Sequence, residues 1–360
     1  MAAHVLILAM LFLPLFCRGA ETGDRKLSRE QLNQMLGADD LDTRLRAISV
    51  IQNRSIQDLD ETLRKIAFDP RQPNKLRIAS IAALAPRLFP VDAHLFEFVR
   101  SNLTIENPPL MRLGAARTLA GFRLSDMQML SAAKNVGEAD ALVLPTLLRA
   151  FLRTSNDAAG LSLVIALAKA PAASLSADLV AHVLSHFSVG VRTAARQMLQ
   201  PIGVDLEQRQ KHLEEFMPLL ANGDPGRGKA VFFGNKAACS TCHAIGGQGG
   251  LLGPDLTRIG TVRSGSELLE AIVYPVAGGL PGFEYFKVGT TDRQNYSGTI
   301  IRQASDAIWI RGTDLGENKI ETKRIKTIVE SSTSVMPTDL LASLGKDELR
   351  DLLAYLQSLK

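Results

Sequence analysis

The spacing of apolar residues is helical from residue 27 to residue 217. Apolar side chains recur three and four positions apart, and Pro, Asp and Asn stand where the runs break. Within the runs, a basic residue is followed by a small residue three positions later and by an aliphatic residue four positions after that. Clear copies of this signature are Arg44, Ala47 and Ile51; Arg77, Ser80 and Leu84; Arg112, Ala115 and Leu119; and Arg192, Ala195 and Leu199, with a degenerate copy at Ala159, Ser162 and Ala166.

The repeated signature predicts stacked helical hairpins. The small residue would let neighbouring helices approach, and the aliphatic residue would fill the core between hairpins. Residues 27–217 resemble HEAT-type repeats, so we expect an α-solenoid-like domain, with an irregular helical bundle as the alternative. His182 and His186 lie four positions apart on one predicted helix, a spacing that can bind a metal. Because no Glu lies between them and no third ligand is near, we expect a structural or exposed pair.

The helical-repeat pattern breaks at residues 222–226, Asn-Gly-Asp-Pro-Gly, which indicates a domain boundary. Asp224 is suited to cap a new helix with Pro225 at its first position, and we expect this helix over residues 225–237. The second domain would then comprise residues 224–360.

Inside the second domain the hydrophobic period changes from helical to two. Residues 283–330 contain runs rich in β-branched and aromatic side chains separated by polar turns. We expect four or five short antiparallel strands that form a small barrel. A closing helix is predicted over residues 346–359, where four leucines form an apolar stripe.

An unbroken apolar run occupies residues 5–16, VLILAMLFLPLF. It is shorter than the roughly 20 residues that span a bilayer, but it has the length of a signal-peptide core. Small residues follow at Cys17, Gly19 and Ala20. We therefore expect a signal peptide over residues 1–20, a periplasmic or secreted protein and no membrane span after cleavage, with an uncleaved anchor as the alternative.

The composition is that of a soluble globular protein. The chain of 360 residues is 46% apolar and 22% charged, and its formal net charge is +4 from 41 basic and 37 acidic side chains. No dense stripe of Lys and Arg is present that would follow phosphates, so we expect no nucleic-acid partner.

The most specific motif is Cys239-Ser240-Thr241-Cys242-His243. The pattern C-x-x-C-H is typical of c-type haem attachment, because the spacing lets two thiols reach the two vinyl groups while the next residue presents an imidazole to the iron. A thioredoxin-like pair would need a βαβ context, and a zinc site would need a second pair of ligands; the sequence around the motif has neither. The motif therefore predicts one covalent haem c, with His243 as an iron ligand.

The sixth iron ligand is predicted by elimination. Met336 is the only methionine after Met217, and a thioether opposite a His gives the His/Met pair of electron-transfer cytochromes. The carbonyl of Pro254 is a candidate acceptor for the N–H of His243 that does not face the iron. Alternatively, Met336 is a surface residue and the sixth position is open, as in a haem peroxidase or a gas sensor.

The order of the motifs resembles a known family. GDPGRGKAVF, CSTCH, GGQGGLLGPDLT, VMP and a final LxxLLAYL are similar to a cytochrome c domain, and more narrowly to the haem-binding domain found in exported proteins of planctomycetes and verrucomicrobia. The resemblance covers residues 224–360. It implies a mainly α fold, in which α-solenoid-like repeats precede a cytochrome c domain with a small inserted antiparallel β-barrel.

The same resemblance implies roles for particular residues. Cys239 and Cys242 would form the thioether bonds, and His243 and Met336 would be the axial iron ligands. The first and last helices of the domain would cross where Gly228 and Phe232 meet Tyr355.

We therefore expect an exported electron-transfer cytochrome, and not an enzyme. Its partner would be a redox protein, such as a periplasmic dehydrogenase, held by the helical repeats. The alternatives are a haem peroxidase or sensor with an open sixth coordination site, and a scaffold whose main role belongs to the repeats.

Overall fold

A computed structural model describes residues 27–170, 176–199, 206–275, 282–331, 334–338 and 340–360. The predicted signal peptide, residues 1–20, lies outside the described residues. Within the described ranges, no helix combines the length and the apolar character that crossing a membrane requires. The fold is mainly helical with a small antiparallel sheet, as the sequence predicted.

The first half of the chain consists of short helices joined by tight turns. They are α1 (Arg29–Leu36), α2 (Leu41–Asn53), α3 (Asp60–Phe68), α4 (Asn74–Leu84), α5 (Ala93–Ser101), α6 (Pro109–Gly121), α7 (Asp126–Glu138), α8 (Leu144–Ala150), α9 (Asp157–Leu167), α10 (Ala177–Ser185), α11 (Val189–Leu199) and α12 (Leu206–Glu214). Several begin at a side-chain cap: the Asp40 carboxylate accepts from the Thr43 amide at 2.7 Å, and Ser125 and Gln128 form a capping box.

The repeated signature marks the core of these helices. Its small and aliphatic positions on α2, α4, α6 and α11 are all buried, for example Ala47 and Leu84. The basic position has a role that its spacing did not reveal. Arg44 Nε donates to the Leu36 carbonyl at 2.9 Å, and Arg77 Nε donates to the Ala67 carbonyl at 3.0 Å. These arginines satisfy carbonyls at the end of the preceding helix, which has no intrahelical donors for them.

Alternate helices stack on one another along the chain. α2, α4, α6, α8 and α10 pack in succession, and α7, α9 and α11 pack in succession beside them. The signature lies on α2, α4 and α6 of the first stack, but its later copies lie on α9 and α11 of the second. The repeat is therefore less regular than its spacing along the chain indicated.

The next helix along the chain is α13 (Pro225–Phe233). It ends at Phe233, although the sequence predicted a helix to residue 237. The backbone of Gly234 is extended there, with ψ at 165°. The following elements are α14 (Cys239–Cys242), β1 (Ala244–Ile245), β2 (Gln248–Gly249), α15 (Ile259–Val262) and α16 (Gly265–Val273). A five-stranded sheet follows α16, and the chain then forms α17 (Leu340–Ser343) and α18 (Lys346–Ser358). α18 agrees with the predicted closing helix to within one residue.

Five antiparallel strands lie between α16 and α17. They are β3 (Tyr285–Thr290), β4 (Asn295–Gln303), β5 (Ala307–Arg311), β6 (Glu317–Glu321) and β7 (Ile325–Glu330), and their order in the sheet is β6-β5-β4-β3-β7. The two edge strands of a flat sheet of this size would be about 19 Å apart. Only residues 322–324 separate β6 from β7, so the sheet must curve strongly. Among the described residues no ladder joins these edges, and the predicted closed barrel is not seen.

Two apolar cores are present in the described residues. One lies between the repeat helices and extends into the sheet, where it includes Phe286, Val288 and Ile308. The other is formed by α13, α16 and α18 and includes Phe232 and Leu353. The sheet is inserted in the chain of the second domain, as predicted, but its apolar face belongs to the core of the repeats.

Candidate functional site

The two cysteines lie on a single helical turn, α14. The turn begins directly after Ala238, which has a left-handed backbone with a φ of +49°. Both thiols are part-exposed and neither is in a disulfide. Burial raises the pKa of both thiols above the ordinary value of 9.0. The turn thus presents two protonated thiols, three residues apart, on one short and accessible element.

The imidazole of His243 is held in one orientation. Its backbone N–H donates to the Cys239 carbonyl at 3.0 Å, and its Nδ1 lies 2.9 Å from the Pro254 carbonyl oxygen. A carbonyl can only accept, so Nδ1 carries the proton and Nε2 keeps its lone pair. Burial lowers the pKa of His243 below 6.5, although the Pro254 carbonyl opposes this shift. The hydrogen bond predicted from the sequence is present, and it leaves Nε2 as the ring nitrogen with a free lone pair.

A glycine-rich loop packs directly on this turn. The amide of Gly250 donates to the Ser240 carbonyl and that of Gly253 to the Cys242 carbonyl, both at 2.8 Å. A Cβ at Gly250 would overlap the backbone of Thr241. The close approach of Gly250 was not predicted from the sequence. The run GGQGG was the available signal, since glycine allows backbone segments to approach closely.

Met336 lies in the same region but on a different segment. Its side chain is part-buried and packs against the second core, to which Cys239 also contributes. Its backbone N–H donates to the Ser334 hydroxyl at 3.2 Å. The structure therefore brings the Met336 segment to the core that supports the Cys-x-x-Cys-His turn, and its role as an iron ligand stays a prediction.

The first and last helices of this region cross at close range. A Cβ at Gly228 would overlap the Asp351 carbonyl, so the two backbones are in contact. The rings of Phe232 and Tyr355 meet edge to face, with centroids 6.0 Å apart. Gly228 and Phe232 thus meet Tyr355 at the crossing of α13 and α18, as the resemblance implied.

A buried carboxylate strengthens this crossing, and no sequence motif indicated it. Asp351 on α18 accepts from the Asp224 amide at 2.8 Å and from Arg227 Nε at 2.6 Å. It thereby bonds both the cap and the first turn of α13 and orients the helix that leads to the cysteines.

His182 and His186 contact protein groups on different segments. His182 Nδ1 lies 3.2 Å from a carboxylate oxygen of Glu270 on α16, and Arg209 donates to the same oxygen at 3.2 Å. His186 Nδ1 faces the His182 carbonyl at 3.0 Å. In the described part of the chain, no three His, Cys, Asp or Glu side chains converge on a metal position. His182 thus links α10 to α16, and His186 is exposed.

Comparison with known proteins adds no relative to this description. No family model matches the chain, and no curated protein matches it.

Proposed function

We propose that this protein is an exported c-type cytochrome that transfers single electrons through one covalent haem c. The observation that carries the proposal is the His243–Pro254 hydrogen bond beside two unpaired thiols. It leaves the Nε2 lone pair of an oriented imidazole on the residue that directly follows the two free cysteines of α14, Cys239 and Cys242. The resemblance of residues 224–360 to a cytochrome c domain agrees with this chemistry.

The donor set fits a haem c. Cys239 and Cys242 would form the thioethers, and His243 and Met336 would be the axial ligands. A bound haem supplies a one-electron change between Fe(III) and Fe(II). Among the described residues no three metal-ligating side chains cluster, but this does not oppose the assignment, since a porphyrin provides four of the iron's ligands and the protein needs to provide only two.

The chain's own residues would orient and shield the group. Pro254 would hold the His243 ring in one tautomer and raise its basicity towards the iron. The apolar core of α13, α16 and α18, which includes Leu269 and Leu353, would exclude water from one side. A low-dielectric surrounding and a thioether ligand both favour the reduced state.

The helical repeats would dock a redox partner. Residues 27–217 would be HEAT-like repeats, whose stacked helices offer an extended surface. We expect the partner to be another exported redox protein, such as a periplasmic dehydrogenase, and the location to be the periplasm or the exterior. The curved five-stranded sheet would be a barrel-like insertion that connects the repeats to the haem-binding region.

One experiment on the wild-type protein tests the proposal. The chain would be expressed with a cytochrome c maturation system, and the haem remaining on the protein after acid–acetone extraction would be measured. We expect one covalent haem per chain, and a reduced spectrum that carbon monoxide does not change. Loss of all haem on extraction would refute covalent attachment, and rapid carbon monoxide binding would favour a peroxidase or a sensor.

A further inference from the structure

A buried cluster of charges joins the repeat helices to the two ends of the sheet. Glu284 directly precedes β3, and Glu330 is the last residue of β7. Their side chains are 1% and 0% exposed, respectively. Both face arginines of the repeats, Arg117 on α6 and Arg149 on α8. Buried carboxylates at the points where the chain enters and leaves the sheet indicate a built junction, because burial of charges is costly unless they are paired.

Arg149 is the centre of this junction. It pairs with the Glu330 carboxylate, donates to the Thr146 hydroxyl at 3.1 Å and lies 4.0 Å from a carboxylate oxygen of Glu284. Thr146 also donates to Glu330, at 3.4 Å. Arg117 holds Glu284 with two hydrogen bonds of 3.2 and 3.1 Å. The two carboxylates are therefore held by α6 and α8 and not by the core that contains Cys239.

The junction is close in the chain to the predicted sixth ligand. Met336 follows Glu330 by six residues, and an extended chain of that length covers about 20 Å at most. The amide of Ser331 donates to the Tyr285 carbonyl at 2.7 Å, so the ladder of β3 and β7 continues past Glu330. Beyond Met336, Leu344 is buried in the second core. The segment that carries Met336 thus has one end held by the repeats and the other by the haem-binding region.

We propose that Arg149 is a positioning residue for the sixth haem ligand. By holding Glu330, it fixes the point from which the Met336 segment departs and so determines whether the thioether reaches the iron. This inference rests on the proposed function. It makes the repeats part of the device that sets the iron's ligation, and it explains why the sheet packs on the repeats although its chain belongs to the second domain.

The central test replaces Arg149 with lysine. Arg149→Lys keeps the charge, but a single ammonium cannot reproduce the forked contacts to Thr146 and Glu330. An iron with a His and a Met ligand shows a weak far-red charge-transfer band when oxidised. We expect the intensity of this band to fall by at least half in the variant, and carbon monoxide to bind the reduced protein at least tenfold faster. Amide hydrogen exchange of a peptide covering residues 334–343, which needs no haem ligand, should rise at least tenfold.

The matched control is Arg112→Lys. Arg112 is also a buried arginine of the repeats, but its partners, Asp140 and the Asn107 carbonyl, belong to the repeats themselves. We expect its band, carbon monoxide rate and peptide exchange to equal those of the wild type. If Arg149→Lys does not fold, Glu330→Gln replaces it, because the amide keeps the volume and removes the charge that Arg149 holds.

The outcomes separate this inference from the proposed function. The positioning role is overturned if a folded Arg149→Lys protein keeps the charge-transfer band, the carbon monoxide binding rate and the peptide exchange of the wild type. It is also overturned if Arg112→Lys loses as much of the band as Arg149→Lys does. A wild-type protein that lacks the band overturns the proposed His/Met ligation and with it the positioning of that ligand. In that case the peptide exchange still shows whether Arg149 holds the segment.

Discussion

Gly253 lies against the imidazole ring of His243. A Cβ added to Gly253 would be 2.5 Å from Cε1 and 2.7 Å from Nδ1 of that ring. The residue after this glycine, Pro254, supplies the carbonyl that accepts from Nδ1. The same short segment therefore sets both the position of the ring and its tautomer.

Gly253→Ala should displace the ring or the loop. Contacts of 2.5 Å cannot be accommodated without a shift, and overpacking of this kind costs about 1–3 kcal/mol. We expect a lower free energy of unfolding and a changed spectrum of the haem-loaded protein. Gly190→Ala is the control, since its Cβ would approach nothing closer than 3.6 Å, and it should gain up to about 1 kcal/mol on helix α11. Equal changes in the free energy of unfolding and in the spectrum for the two variants would refute the contact between Gly253 and the His243 ring.

Cys239 and Cys242 should each contribute one covalent bond to haem. Replacing both by alanine should leave no haem on the denatured protein after acid–acetone extraction, and either single replacement should leave one thioether or prevent maturation. Ser240→Ala and Thr241→Ala, on the same helical turn, should keep the haem. Haem that survives extraction from the double variant would show that the covalent assignment is wrong.

Met336→Ala should convert a six-coordinate iron into one that binds exogenous ligands. The oxidised protein should lose its far-red charge-transfer band, its reduction potential should fall because the thioether favours Fe(II), and carbon monoxide should bind after reduction. Met127→Ala is the control, because this side chain is 82% exposed on α7 of the repeats. An unchanged band and potential in Met336→Ala would make Met336 a loop residue and favour the sensor or peroxidase.

The two buried glutamates should affect stability in opposite directions as the pH changes. Burial raises the pKa of Glu330 from 4.5 to about 7, and the attraction of Arg149 only partly opposes this. The stability that protonated Glu330 contributes is therefore complete below about pH 4.5 and is lost as the pH rises through about 7. Relative to Glu330→Gln, the wild type should lose on the order of 3 kcal/mol across this interval.

Glu284→Gln is the matched comparison for that measurement. Burial opposes ionisation of Glu284 as well, but Arg117 and Arg149 outweigh it and lower the pKa below 4.5. Its charged form stabilises the fold above the ordinary pKa, so the amide variant should be less stable at pH 7. Denaturant unfolding at several pH values between 4 and 8 gives the free energy of unfolding of each protein. The same pH dependence of this free energy in the two variants would contradict the assignment.

Several features could be predicted from the sequence because they depend on neighbours in the chain. Helical spacing predicted the helices of the first part of the chain, a period of two predicted the strands, and Asp224 with Pro225 marked the start of α13. The Cys-x-x-Cys-His motif is contiguous, so one helical turn is enough to bring its sulfurs and imidazole together. The Pro254 carbonyl was predictable too, since it lies only 11 residues from His243.

Only the tertiary structure decided which core the sheet joins and what holds its ends. Arg149 and Glu330 are 181 residues apart, and nothing in the local pattern around either residue indicates the other. Spacing along a helix or strand specifies which side chains share a face, but the partner of that face depends on how all the elements pack. For this reason the helical turn and the oriented imidazole of the Cys-x-x-Cys-His motif depend on residues close in the chain, whereas the contact between α8 and the end of β7 emerged only from the packing of the elements.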